Sequence, residues 1–243
     1  MKEVIKTAVS LFLKLILVNF MCAIVVLSVS ILANGLFAEE VGYTALGVKE
    51  GEEQSETLYT YRYDEGEDTK RAEYEAQGYE IVEYSLKELS RKGNIISTAV
   101  AQFLTFCLLC SFVYPINWEL GTKDSNLVKF KHKEADTLKG LKIGLFAIIP
   151  AVLLLVFLFA TKNNLTAGVP TAIYKLMNSS LYGFIDIADG HAVAFGEISA
   201  WNFLALAAVQ LVIPIVSFIS YFLGFKNISI GEKFVYRKEK KRR

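Results

Sequence analysis

Four stretches of this 243-residue chain, 15–37, 95–116, 143–161 and 203–224, contain no Asp, Glu, Lys, Arg or His. Ion-coupled transport, proton relays and intramembrane hydrolysis rely on a titrating or charged side chain at membrane depth. Their absence argues against a membrane enzyme and leaves only amides and hydroxyls, chiefly Asn19, Gln102 and Gln210, as polar groups there. Cysteine is scarce too: Cys22, Cys107 and Cys110 all fall inside the apolar stretches, so no disulfide framework exists for an exposed domain and no loop carries a thiol. Nor is there a net excess of one charge. The formal balance is +1, and the signs are segregated: 38–94 holds fifteen acidic and seven basic residues, while 226–243 holds eight basic and two acidic. Such asymmetry indicates orientation rather than nucleic-acid binding.

What is present is apolar. Hydrophobic residues make up 53% of the chain and mean hydropathy is +0.37, above the roughly 45–50% of a soluble domain. Each uncharged stretch is long enough as a helix to cross the ~30 Å hydrocarbon core at ~1.5 Å per residue. Trp118 and Trp201 stand just outside two of them, where amphipathic rings settle at an interface. The first stretch has 23 residues, longer than the roughly 7–15 of a signal-peptide core, and is expected to remain as an anchor. With both termini cytoplasmic, sixteen basic residues lie inside and nine outside, against which Arg91 and Lys92 are misplaced. The expected fold is therefore an all-α transmembrane bundle of four helices. A small extracytoplasmic α+β domain, 38–94, is inserted between helices 1 and 2.

Within 38–94, Tyr59, Tyr61 and Tyr63 alternate in a β-prone run and share a face, followed by a turn over 64–68. Asp68 and Gly78 bracket a helix over 69–77, and 79–86 returns to strand. The tyrosines are either a partner-contact face or the cover of a minimal sheet, since so small a domain buries little else. In the inner loop, 117–142, turn residues over 121–126 precede Lys129, Lys131 and Lys133. These lysines alternate as in a short basic strand, a candidate anionic-lipid contact or an ordinary positive-inside loop. Gly140 and Gly144 allow close helix approach. The outer loop predicts an amphipathic helix over 170–185, lying on the membrane or against the acidic domain rather than re-entrant. Asp186, Asp189 and His191 follow it at an Asp-Gly turn; the turn explains these residues better than a metal site does, and no metal or cofactor is expected.

Gln102 and Gln210 each sit seven residues below the outer end of their stretch, about 10 Å deep, as candidates for an interhelical polar contact. Pro150 and Pro214 withhold the hydrogen bonds to the carbonyls of Phe146 and Gln210, so helix kinks are expected at both. The two readings of these features are a cavity lined by freed polar groups, or helix-to-helix attachment. The basic tail is adequate to bind an anionic leaflet at ~1 kcal/mol per base, or to dock a partner.

Cys107-Leu108-Leu109-Cys110 resembles the quinone-coupled disulfide oxidoreductases in spacing and the chain resembles them in span number. Those proteins also use a loop cysteine pair, however, so Cys107 and Cys110 are better read as small apolar packing residues. The combination of WELGTKDSN (118–126), LKGLKIGLFAIIP (138–150) and YFLGFKNISIGEKFVY (221–236) resembles a group of uncharacterised multi-span membrane proteins of Gram-positive bacteria. The resemblance implies a cytoplasmic-membrane location and brings no activity. The functions expected are a non-enzymatic interaction or accessory protein presenting its outer domain to a protein partner, or alternatively a subunit of an oligomeric transporter or channel.

Overall fold

The computed structural model describes residues 2–49, 56–65, 68–132, 134–162, 169–190, 192 and 195–229. Four helical segments, Lys2–Phe37, Arg91–Lys129, Lys139–Ala160 and Ala200–Phe225, are long and apolar enough to cross a membrane. The chain divides into two compact units, Met1–Leu27 with Ala99–Arg243, and Ser28–Thr98.

The first unit is a bundle of helices. α1 (Lys2–Phe37) contributes a buried seam of Val4, Ala8, Leu11, Leu15, Val18 and Cys22. Steps of three and four residues are those of a heptad, and Lys6 and Lys14 lie off the seam, exposed. α3 (Arg91–Lys129) is a single helix containing Pro115. The turn predicted over 121–126 does not form, because tertiary contacts satisfy the residues that would have made it. Thr122 Oγ1 donates to the carbonyls of Trp118 and Gly224, and Asp124 is buried against Lys139 and Tyr221. Nor does the basic strand over 129–133 form. Lys129 ends α3, and Lys131 adopts a left-handed conformation (φ 58°) while His132 N bonds Leu127 O, a Schellman-type stop; Lys133 lies outside the described residues.

α4 (Lys139–Ala160) runs through Pro150 without interruption. The fourth apolar stretch, by contrast, is two helices, α7 (Ala200–Val209) and α8 (Val212–Phe225), separated at Gln210 and Leu211. Pro214 lies four residues beyond Gln210 and cannot donate to its carbonyl, and Leu211 N turns back to Ala208 O instead. α4 and α8 meet through glycine: a Cβ at Gly140 or Gly144 would overlap Tyr221 or Pro214.

The outer helix predicted over 170–185 is also divided, into α5 (Val169–Met177), a 3-10 turn (Ser179–Leu181) and α6 (Tyr182–Ala188). Asn178 Nδ2 donates to the Tyr174 carbonyl, and the Ser179 hydroxyl donates to those of Lys175 and Leu176. Side chains that bond back to the preceding turn compete with the helix ladder.

The second unit contains a sheet of three antiparallel strands, β1 (Ala38–Lys49), β2 (Glu56–Arg62) and β3 (Tyr79–Leu89), in the order β2-β1-β3. A 3-10 turn (Tyr63–Glu65) and α2 (Thr69–Ala76) connect β2 to β3. β1 starts directly after α1 and β3 ends one residue before α3, with Ala38 opposite Leu89 and Ser90 N bonded to Phe37 O at 3.0 Å. The Ser90 hydroxyl then accepts from Gly93 N, capping α3.

Candidate functional site

The sheet of the second unit has two unlike faces. Register places Tyr43 opposite Tyr61 and Ser85, and Ala45 opposite Tyr59 and Glu83, all on one face. That face is covered by α2. Asp68 is its N-cap: one carboxylate oxygen accepts from Lys70 N and Arg71 N, the other from the hydroxyls of Tyr43 and Tyr59. Tyr74 of α2 stacks on Tyr59 at 5.6 Å and meets Tyr79 edge-on at 5.9 Å, while Arg71 bonds Glu83. Burial raises the Tyr43 hydroxyl to about 12, aided by Asp68, and pushes Tyr59 higher still. Partial burial opposes ionisation of Asp68, but the two tyrosine hydroxyls and two backbone N–H groups outweigh it and hold its pKa down.

The tyrosine face predicted for a partner is thus largely occupied. Tyr59 is 8% exposed, Tyr61 is half-buried against Tyr43, and Tyr63 is exposed but sits in the 3-10 turn beyond the strand. Such a small sheet has few other large side chains to spend on its core. The opposite face carries Thr44, Leu46, Thr60, Val82 and Tyr84. Thr44 pairs with Thr60 and Tyr84, Leu46 with Val82, and Gly42 with Leu86. Val82 is 42% and Tyr84 58% exposed, with an Arg62–Glu88 bidentate pair at the edge of the patch. β1 and both faces escape a propensity reading because Glu39, Glu40, Gly42 and Gly47 are all poor strand formers.

In the bundle, Gln102 and Gln210 do not bond each other. Both attach the 169–188 segment. Gln102 Oε1 accepts from Gly183 N at 2.8 Å and Phe184 N at 3.3 Å, while its Nε2 donates to Ser180 O. The acceptor therefore caps the first turn of α6, whose own cap residue, Leu181, supplies no side-chain bond. Asn19 Oδ1 accepts from Ser180 N. Gln210 Nε2 donates to the Tyr174 hydroxyl at 2.9 Å and Asn178 Oδ1 at 3.4 Å, whereas its own Oε1 is buried without a partner among the described residues. One side of the segment is therefore held by amides from three apolar helices, while Val169, Ile173, Leu176, Met177 and Ile187 on its other side remain exposed.

Charge enters the bundle by this route. Lys175 Nζ lies 2.9 Å from carboxylates of both Asp186 and Asp189, and Asp189 is almost fully buried. Burial pulls the ammonium pKa down, but the two carboxylates more than restore it, so Lys175 stays charged. The metal alternative weighed for Asp186, Asp189 and His191 involves one residue, His191, outside those described. The two carboxylates hold a lysine.

At the other end of the bundle, 118–126, 138–150 and 221–229 come together. Lys139 Nζ is 2.7 Å from Asp124 and 3.0 Å from Glu3, and the Tyr221 hydroxyl donates to Asp124. Trp118 Nε1 donates to Ile228 O and Asn227 Nδ2 to Ser125 Oγ. A Cβ at Gly121 or Gly224 would overlap the facing backbone of α8 or α3. The basic tail beyond Ser229 lies outside the described residues. Buried Lys139 and Asp124 escape a reading of the apolar stretches because both stand just outside them in sequence. No family model matches the chain, and no curated protein or solved structure is significantly similar to it.

Proposed function

We propose a multi-pass protein of a bacterial cytoplasmic membrane, with both termini inside, that acts as a non-enzymatic accessory protein. Its acidic outer domain engages a protein partner. The observation that carries the reading is the two-faced sheet: α2 and the Asp68 lock cover one side, while Val82 and Tyr84 stand exposed on the other. An exposed aromatic and aliphatic patch on an acidic domain suits a partner face that is apolar at its centre and basic at its rim. The four long apolar helices support the membrane location, and the loop lysines and the tail support the orientation. Weighing the complex purified in mild detergent tests the idea. A hetero-complex that Val82→Asp with Tyr84→Asp dissolves is expected; a complex indifferent to those changes refutes the assigned face.

A second reading, a transporter or channel subunit, has one observation of its own. The fourth apolar stretch is broken in its interior, and the fully buried Gln210 Oε1 at the break has no partner among the described residues. Discontinuous helices of this kind form substrate sites in transporters. A homo-oligomer in the same experiment would favour it, and full function in the Gln102→Leu, Gln210→Leu double variant would eliminate it.

A further inference from the structure

We propose that the groove between α4 and the end of α7 holds one acyl chain of an anionic phospholipid, with Lys142 against the phosphate. The inference rests on the membrane reading above. Lys142, Phe146, Ile149 and Leu153 form a stripe on α4 at helical steps, and Ala207 and Ala208 of α7 face them across a groove of about 850 Å³. Two adjacent alanines and the interruption at Gln210 and Leu211 leave this space between neighbouring helices. From Lys142 to Leu153 the stripe rises about 16 Å, a length suited to an acyl chain.

Apolar lining alone selects nothing in a bilayer, because every lipid tail is equally apolar. Selection falls to Lys142, the one charged side chain on the groove wall among the described residues. It stands in the first turn of α4, immediately before the uncharged stretch 143–161, at headgroup depth. On the proposed orientation that end faces the cytoplasmic leaflet, where basic pockets between helices recruit anionic headgroups. The side chain is half exposed, and Asp136 takes one ammonium hydrogen at 2.9 Å, leaving two for phosphate oxygens. Asp136 also repels the incoming anion, so its charge sets the limit on affinity.

The test uses the full-length protein reconstituted in vesicles of equimolar phosphatidylglycerol and phosphatidylcholine, gently extracted and weighed with its retained lipid. One phosphatidylglycerol is expected in about fivefold preference, as one lysine near an anionic headgroup supports. Lys142→Gln should abolish the preference, Asp136→Asn should increase it, and Ala208→Phe should reduce retention of both lipids. Equal retention by the wild type, or an unchanged preference in Lys142→Gln, overturns the site. Failure of the protein to enter the vesicles would instead refute the membrane reading, and the site with it.

Discussion

Asp68 shows how much a single carboxylate can organise. Its contacts join the start of α2 to two strands, and each is stronger with the carboxylate ionised. Because its folded pKa lies below the unfolded value of about 3.9, its stabilisation is present above that value and fades as pH falls through the lowered one. Acid titration followed by tyrosine near-ultraviolet dichroism should therefore show local loosening only at strongly acidic pH, shifted upward in Tyr43→Phe. Asp68→Ala should destabilise the sheet-containing unit by about 1 kcal/mol for the cap alone. Two amides that look equivalent in sequence have unequal roles: Gln102→Leu strands the Gly183 and Phe184 N–H groups at a cost of about 1–3 kcal/mol. Gln210→Leu removes an amide whose acceptor is already unmet, so limited trypsin cleavage after Lys175 should rise more in the first variant. At the other end of the bundle, Lys139→Met leaves Asp124 buried without its ammonium and should cost about 3–5 kcal/mol, whereas Lys139→Met with Asp124→Leu should recover most of it. Thermal unfolding in detergent reads both.

Helix ends and breaks are decided by different forces at different places. Pro150 and Pro214 look alike in sequence, yet α4 continues through one while the fourth stretch divides ahead of the other. The missing N–H is common to both; near Pro214, Gln210 is additionally drawn to Tyr174 and Asn178. The same lesson holds for α3, whose Gly121 and Thr122 are turn formers by propensity but serve as the contact surface for α8. Gly121→Val should drive α3 and α8 apart and cost about 1–3 kcal/mol, seen as a lower unfolding temperature. Long apolar helices were legible from the length of their uncharged runs, because any helix of that composition must bury or shield its whole surface. Strand β1 was not, since its pairing with β2 and β3 supplies what its glycines and glutamates do not.

For the whole molecule, the insertion 38–89 enters and leaves the chain at one point. Phe37 O and Ser90 N are hydrogen-bonded, so 38–89 can be replaced by a short Gly-Ser link without stretching the chain. The resulting protein should retain the unfolding temperature of the bundle and lose the partner complex; a complex that survives would refute the accessory reading. Sequence by itself determined the four apolar helices and the acidic character of the insertion, because composition and length act residue by residue. It also placed the Asp68 cap, a bond made within a few residues of chain. Only tertiary structure decided which sheet face is covered, that amides of three helices hold 169–188, and that Lys139 meets Asp124. Those outcomes depend on partners far apart in the chain, whose proximity no local pattern records.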